Sequence, residues 1–152
     1  MRSLQLFKFT LIAIALAGCS DAEHPFEGKD WTVINYWAVW CKPCREEIPE
    51  LNVLNSESGI RVFGVNFDRK TGAPLQEDAN ALGLAFANIE DPSRQLGIER
   101  PSVLPTTVVI TPMGDVAAVL IGPQTSGSIL AIVRPVSAVA SNKKTPTKKS
   151  AN

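Results

Sequence analysis

Residues 31–55 read WTVINYWAVWCKPCREEIPELNVLN, and this stretch decides the fold. Its first seven residues, Trp31 to Trp37, are β-branched and aromatic enough for a buried strand. From Pro43 to Asn55, apolar residues recur at helical spacing with glutamates between them. The stretch therefore predicts a strand, a tight turn that carries two cysteines, and a helix.

The rest of the chain continues this alternation of strands and helices. The predicted elements are a strand over Arg61–Phe67, a helix over Ala73–Leu82 that stops at Gly83, a short extended segment over Leu84–Ile89, a helix start at Asp91-Pro92, a hairpin of strands Thr106–Thr111 and Val116–Ile121, and a helix over Ile129–Val139. Thr125 and Ser126 are candidate caps of the last helix, which Pro135 should kink or end early. This order indicates an α/β domain with a mixed central sheet flanked by helices.

The N-terminal residues 1–18 have the pattern of a signal peptide. Arg2 and Lys8 precede the apolar run 9–17, which is shorter than the roughly 20 residues that a membrane-spanning helix needs. The run ends in Leu-Ala-Gly-Cys at Cys19, which resembles the lipobox of bacterial lipoproteins. That resemblance implies cleavage before Cys19 and attachment of lipid to its sulfur. The alternative is an ordinary signal peptide that happens to end in a cysteine.

The remaining 134 residues fit one domain with two polar extensions. We predict a linker over residues 19–30, a domain over 31–140 and a disordered basic tail over 141–152. The tail either keeps the protein soluble or contacts anionic lipid. Without the signal peptide, 13 Lys and Arg stand against 15 Asp and Glu, a net charge of −2. This charge gives no basic footprint for nucleic acid.

The motif Trp40-Cys41-Lys42-Pro43-Cys44 lies between the predicted strand and the predicted helix. A cysteine at a helix N-terminus meets unpaired backbone N–H groups and the positive end of the helix dipole, which favour its thiolate. Thioredoxin-type sites bring the pKa of such a cysteine to about 7. Cys41 is therefore predicted to be the nucleophile, and Cys44 to resolve the mixed disulfide. Lipid on Cys19 would account for the third cysteine.

Two other interpretations compete for the Cys41–Cys44 pair. One is half of a zinc site and the other is an inert structural disulfide. Zinc usually takes four ligands, and the further candidates are His24 in the predicted linker and Cys19. We therefore predict a redox dithiol that needs neither a metal nor a cofactor.

Residues 36–51, YWAVWCKPCREEIPEL, resemble the active-site block of the TlpA and ResA branch of the thioredoxin superfamily. Residues 64–68 (GVNFD) and 104–107 (LPTT) match the same branch. The resemblance implies a thioredoxin-like fold and thiol:disulfide oxidoreductase activity. It also implies a cis Pro105 that faces the dithiol and shapes the client groove, to which we assign Trp40 and Leu104. Family members usually have an extra strand or hairpin before the first strand, where this chain has only a short linker.

Two polar residues near the motif, Glu47 and Asn35, are considered for proton transfer. Glu47 lies three residues after Cys44, hence on the same helical face, and matches a position where the family often has a glutamate. It is predicted to exchange a proton with Cys44, the alternative being a solvated carboxylate. Asn35 stands six residues before Cys41, where cytoplasmic thioredoxins have a buried aspartate. An amide cannot act as a base at neutral pH.

The Lys-Pro pair inside the motif is closer to the Gly-Pro of reductants than to the Pro-His of strong oxidases. We therefore predict a lipid-anchored reductase on the periplasmic side of a bacterial membrane. Its partners would be disulfide-bonded exported proteins, with apocytochrome c among the candidates, and a membrane electron donor. Ser20 after Cys19 favours the outer membrane. The alternatives are a disulfide isomerase or oxidase, and a lipoprotein that binds copper or a partner.

Overall fold

The computed structural model describes residues 25–57 and 59–134. Its elements are β1 (Trp31–Trp37), α1 (Lys42–Asn55), β2 (Ile60–Asn66), α2 (Gly72–Leu82), β3 (Ala87–Asn88), β4 (Thr106–Ile110), β5 (Val116–Ile121) and α3 (Ser126–Val133). The predicted α/β class is confirmed. Cys19, His24 and the basic tail lie outside the described residues. Within those residues, none of the helices has the length and apolarity needed to cross a bilayer.

The five strands form one mixed sheet in the order β3-β2-β1-β4-β5. β1 pairs with β2 in parallel, and β2 pairs with β3 in the same way. β4 is antiparallel to both β1 and β5. Because parallel strands end at the same edge, Trp37 at the end of β1 lies opposite Asn66 at the end of β2. The segment with the cysteines and the segment after β2 therefore emerge side by side.

β1 is central and buried on both faces, as its continuous apolar sequence predicts. On one face, Val33 packs in a cluster with residues of α1 and α3, and Trp37 packs with α2. On the other face, Ile34 and Tyr36 are covered by Phe26 and by apolar side chains of residues 89–104, which contain no helix. The domain is thus a sheet with its helices on one face.

The C-terminal end of the predicted linker packs on the domain. Phe26 is only 7% exposed and packs against Ile34 and Tyr36. The Gly28 N–H donates to the Pro112 carbonyl at 2.9 Å, which ties the segment to the β4–β5 turn. A buried aromatic side chain removes a large apolar area from water, so this segment is held on the sheet face.

Two further predictions about elements differ from the structure. The helix predicted to start at Asp91-Pro92 is wrong, because residues 93–97 form a turn. The last helix begins as predicted after Thr125, whose hydroxyl accepts from the Ser128 N–H at 3.1 Å. It ends at Val133, earlier than the predicted Val139. A residue before proline disfavours the helical conformation, and Arg134, which precedes Pro135, is indeed non-helical.

Candidate redox site

The cysteine pair is built by the junction of β1 and α1. Cys41 is the N-cap residue of α1, and Pro43 occupies the first turn, where a missing N–H costs nothing. A disulfide joins Cys41 to Cys44, whose Cα atoms are 5.3 Å apart. Cys44 is fully buried and Cys41 is 4% exposed.

The helix N-terminus directs a donor at the sulfur of Cys41. The Cys44 backbone N–H donates to Cys41 Sγ over 3.2 Å. The first turn of α1 contains no acidic residue to offset the positive end of the helix dipole. Once the disulfide is reduced, these features stabilise a thiolate at Cys41 more than a thiol.

Of the three residues assigned to the client groove, Leu104 is the one that contacts the cysteine cluster in the part of the chain that the structure describes. The Leu104–Pro105 peptide bond is cis, as predicted, and Pro105 is buried. Leu104 packs against the cluster that contains Cys41 and Cys44. Trp40 is 60% exposed. The cysteines are therefore flanked by Leu104 on one segment and by an exposed tryptophan next to Cys41 in the chain.

Trp40 is held by the segment that follows β2. Its Nε1 donates to both carboxylate oxygens of Asp68, at 3.0 and 3.1 Å. The ring also meets Phe67 edge to face, with centroids 6.2 Å apart. An exposed aromatic ring in a fixed orientation offers a client a preformed apolar surface.

Glu47 is only 2% exposed, so the alternative of a solvated carboxylate is wrong. One oxygen accepts from Asn35 Nδ2 at 2.6 Å and the other from the Gln124 backbone N–H at 2.9 Å. Burial raises the pKa of Glu47, and these two hydrogen bonds offset only part of that rise. The side chain is thus a buried carboxyl group whose partners are neutral donors.

Asn35 connects Glu47 to the strand that follows the cis-proline. Its Nδ2 also donates to Thr107 Oγ1 at 3.1 Å, while its Oδ1 has no donor among the described residues. Sequence reasoning missed the role of Gln124, which is 77 positions from Glu47. No pattern around Gln124 indicates that contact, whereas Thr107 lies in the LPTT match.

A second, partly buried network, also missed, lies on the opposite face of the sheet. Asp91 accepts from Tyr36 OH at 2.8 Å, from the Ser93 N–H at 3.0 Å and from Arg100 Nε at 2.6 Å. Burial alone would raise the pKa of Asp91, but these hydrogen bonds outweigh it and lower the pKa. Burial, followed by the bond to Asp91, raises the pKa of Tyr36.

Arg100 links this network to the redox site. Its second terminal nitrogen donates to the Phe67 carbonyl at 2.7 Å, and its guanidinium lies 4.6 Å from the centroid of the Phe67 ring. Phe67 in turn contacts Trp40. The local sequence does not indicate these contacts, because Arg100 and Phe67 are 33 positions apart.

Comparison with known proteins places the chain in a family. The model of the AhpC/TSA family matches residues 9–119. The thiol-disulfide oxidoreductase ResA of Bacillus thuringiensis (strain Al Hakam) is 32% identical over 96 residues, which are 60% of this chain and 55% of that protein. The thiol:disulfide interchange protein HelX of Rhodobacter capsulatus is 31% identical over 122 residues, 76% of this chain and 68% of that protein.

Solved structures agree with this assignment. The crystal structure of a secreted thiol-disulfide isomerase from Corynebacterium glutamicum superposes with a TM-score of 0.62 at 30% sequence identity, covering 71% of both chains. The chain covers only 55% of the length of the Bacillus thuringiensis relative. The chain belongs to the AhpC/TSA family, among the thiol-disulfide oxidoreductases of thioredoxin-like fold.

Proposed function

We propose that this protein reduces disulfides of exported client proteins through Cys41 and Cys44. The observation that carries the proposal is the position of Cys41 at the N-cap of α1, with the Cys44 N–H directed at its sulfur over 3.2 Å. A thiolate stabilised at this place is the species that attacks disulfides. The names of the relatives support the same class of reaction.

The proposed cycle starts from the reduced pair. The Cys41 thiolate attacks one sulfur of the client disulfide, a Cys41–client bond forms, and the other client sulfur leaves as a thiolate that takes up a proton. Cys44 then loses its proton and attacks Cys41 Sγ, which closes the Cys41–Cys44 disulfide and releases the second client sulfur as a thiol. Two electrons pass to the client, so a membrane donor must return two electrons, and one proton restores the Cys44 thiol beside the Cys41 thiolate.

Glu47 is the proposed proton acceptor for Cys44. It follows Cys44 by three positions on α1 and is buried, and that burial raises its pKa. A carboxylate with a raised pKa is a better base than a solvated one. The proton that it takes from Cys44 is returned to the leaving client sulfur, so Glu47 ends the cycle in its starting state.

The reduction potential of the Cys41–Cys44 pair decides the direction. We expect a value near or below the thioredoxin figure of about −270 mV when the full chain is equilibrated with dithiothreitol buffers. A value near the roughly −120 mV of strong oxidants contradicts the reductase proposal. A value near the roughly −180 mV of disulfide isomerases favours the activity named for the Corynebacterium glutamicum protein.

Trapping of clients tests the assignment of the two sulfurs. In Cys44→Ser the resolving thiol is absent, so we expect mixed disulfides between Cys41 and clients on non-reducing gels. The matched control, Cys41→Ser, should form few such adducts, because the buried Cys44 is inaccessible to a client. Equal amounts of mixed disulfide in the two variants would contradict the assignment of Cys41 as the nucleophile.

The proposed location is the periplasmic face of a bacterial membrane, with an anchor at Cys19 and a preference for the outer membrane. The support is the lipobox-like sequence that ends in Cys19. We expect the full chain to incorporate labelled palmitate and to sediment with membranes. Cys19→Ser should do neither, and an unlabelled wild-type chain would contradict the anchor.

A further inference from the structure

Residues 122–126, which connect β5 to the first turn of α3, make hydrogen bonds to two parts of the candidate redox site. The Gly122 N–H donates to the carbonyl of the cis-proline Pro105 at 2.9 Å. The Gln124 N–H donates to the buried carboxylate of Glu47, also at 2.9 Å. The proposed proton acceptor and the proposed groove residue are therefore joined through two backbone N–H groups that lie two positions apart in the chain.

The conformation of this connecting segment holds the two N–H groups in a fixed relation. Gly122 has a φ of +90°, a backbone conformation that residues with a Cβ rarely adopt. Gln124 Nε2 donates to the Gly122 carbonyl at 2.9 Å, which closes the turn. A displacement of the Gln124 backbone should therefore move Gly122 as well.

The connecting segment is also bound to a second carboxylate of α1. The Ser126 N–H and the Ser126 hydroxyl both donate to Glu50 Oε2, at 2.9 and 2.8 Å. These hydrogen bonds lower the pKa of Glu50, so its carboxylate stays ionised while Glu47 takes up a proton. Of the two attachments to α1, the one at Glu47 is the one whose charge changes in the proposed cycle.

The strength of the hydrogen bond from Gln124 depends on the charge of Glu47. A hydrogen bond to an ionised carboxylate is about twice as strong as one between neutral groups. Glu47 accepts the proton of Cys44 in the proposed cycle, and its burial, which raises its pKa, favours the protonated state. Uptake of that proton therefore weakens the attachment of the connecting segment to α1.

Among the described residues, the groups that are bonded to Glu47 or lie one turn from it on α1 are neutral or keep their charge. Cys44 is in the disulfide of the oxidised chain and does not titrate, and Glu50 stays ionised. β1 contributes the amide of Asn35, which is bonded in turn to the hydroxyl of Thr107 on β4. The connecting segment contributes backbone N–H groups. A pH titration of the oxidised site therefore reports on Glu47.

We propose that Gly122 and Gln124 are positioning residues that couple the proton on Glu47 to the position of Pro105 in the client groove. The inference rests on the proposed reaction, in which Glu47 takes the proton of Cys44. While Glu47 is ionised, Gln124 holds the connecting segment against α1, and Gly122 holds the Pro105 carbonyl. When Glu47 is protonated, the segment moves away from α1 and Pro105 moves with it. The groove thus loosens its contact with the client at the step that releases the client.

Nuclear magnetic resonance tests the coupling on the full chain, labelled with ¹³C and ¹⁵N, purified in detergent and kept oxidised, between pH 4 and pH 9. We expect the Gln124 and Gly122 amide signals to shift with one common midpoint. The Pro105 carbonyl carbon, observed through the Thr106 amide, should follow the same midpoint. All of these shifts should be lost in Glu47→Gln, whose amide does not titrate. The proposal is overturned if Gln124 does not titrate, if Pro105 does not follow it, or if the shifts persist in Glu47→Gln.

A matched pair of substitutions separates the N–H of Gln124 from its side chain. Gln124→Pro removes both, whereas Gln124→Ala removes the side chain and keeps the N–H. The pH-dependent shift of the Pro105 carbonyl should be lost in Gln124→Pro. It should be retained in Gln124→Ala, at lower amplitude because the bond to the Gly122 carbonyl is absent. Equal shifts in the two variants would overturn the proposal. If Gln124→Pro does not fold, the wild-type titration and Glu47→Gln still decide the question.

The pH profile of resolution connects the coupling to the reaction. The hydrogen bond from Gln124 lowers the pKa of Glu47. Gln124→Pro should therefore move the midpoint for closure of the Cys41–Cys44 disulfide, measured from the mixed disulfide with glutathione, to higher pH. Gln124→Ala should leave that midpoint in place. A slower closure at every pH with an unmoved midpoint would indicate a merely structural role and would overturn the proposal.

Failure of this inference is distinguishable from failure of the proposed reductase function. The titration uses the oxidised chain without a client, so its result does not depend on the direction of electron transfer. A reduction potential typical of an oxidase would leave the common midpoint of Gln124 and Pro105 intact. Separate midpoints would remove the coupling and leave the proposed reduction of clients by Cys41 and Cys44 untouched.

Discussion

Two carboxyl groups, Glu47 and Asp91, lie on opposite faces of the sheet, and their pKa values are shifted in opposite directions. Glu47, on the helix-covered face, accepts from the neutral donors of Asn35 and Gln124, and burial raises its pKa. Asp91, on the face without helices, is also taken out of water, but its hydrogen bonds lower its pKa. Burial acts in the same direction on both groups, so it does not explain the difference.

The hydrogen-bond partners of the two carboxylates explain why their pKa values shift in opposite directions. Asp91 has the guanidinium of Arg100 at 2.6 Å, whereas the Glu47 carboxylate accepts from the neutral N–H groups of Asn35 and Gln124. A cation keeps a carboxylate ionised and makes it an anchor, while neutral donors in a buried site leave its proton exchangeable. The same functional group thus serves structure on one face and is suited to proton transfer on the other.

The largest expected effect is the loss of stability when the ion pair between Asp91 and Arg100 is removed. Asp91→Asn removes the charge opposite Arg100 and places an NH₂ group among donors, so we expect the free energy of unfolding to fall by about 3 kcal/mol. Urea unfolding of the full chain measures this change. Asp115→Asn, at an exposed position, should change stability by less than about 0.5 kcal/mol. Equal losses in the two variants would contradict the anchoring role.

The pH dependence of that loss has a definite sign. Because the folded pKa of Asp91 lies below its unfolded value, its contribution is present above the unfolded pKa, about 3.9, and is lost as the pH falls through the folded pKa. The difference in stability between wild type and Asp91→Asn should therefore shrink in acid. A constant difference from pH 7 to pH 2 would show that the charge of Asp91 is not what stabilises the fold.

The next effect in size concerns the rate of resolution. In Glu47→Gln the proposed proton acceptor is absent, so closure of the Cys41–Cys44 disulfide from the mixed disulfide should slow about 100-fold, at the low end for general base catalysis. The attack of Cys41 on the client should change little. Rapid-quench measurement of the two steps separates them. If both steps slow equally, Glu47 supports the site as a whole and does not accept the proton of Cys44.

A smaller effect is the opposite pH dependence of Glu47. Its folded pKa lies above its unfolded value of about 4.3, so its contribution is present below the unfolded pKa and is lost as the pH rises through the folded pKa. The stability of wild type relative to Glu47→Gln should fall over that window, by about 1.4 kcal/mol for each unit between the two pKa values. Urea unfolding between pH 4 and pH 9 checks this. A rising difference would contradict a raised pKa.

These networks also mark the limit of what the sequence predicts. β1 and β5 lie at their predicted bounds, because an apolar strand pattern is a local property. The placement of Cys41 at the start of α1 is local in the same sense. The Glu47 carboxylate accepts from the Gln124 N–H, 77 positions away, and such a contact has no local signal, so the sequence left two interpretations open.

The incorrect helix start at Asp91 has a related cause. Asp-Pro is typical of a helix N-terminus, and the Asp91 carboxylate does accept from the Ser93 N–H, two residues on. The same bond also forms in a turn. In the turn, Asp91 also accepts from Tyr36, 55 positions away, and from Arg100, and the local sequence carries no signal for either contact.

The smallest effect that we expect comes from a substitution that separates the charge of Arg100 from its geometry in the ion pair with Asp91. Arg100→Lys keeps the positive charge near Asp91, but an ammonium group cannot at the same time reach the Phe67 carbonyl and stack on its ring. Stability should fall by about 0.5–1 kcal/mol, and the fluorescence of Trp40, which contacts Phe67, should change. Arg94→Lys, at an exposed position, should alter neither property. A loss as large as that of Asp91→Asn would mean that the planar fork of Arg100, and not its charge, distinguishes Asp91 from Glu47.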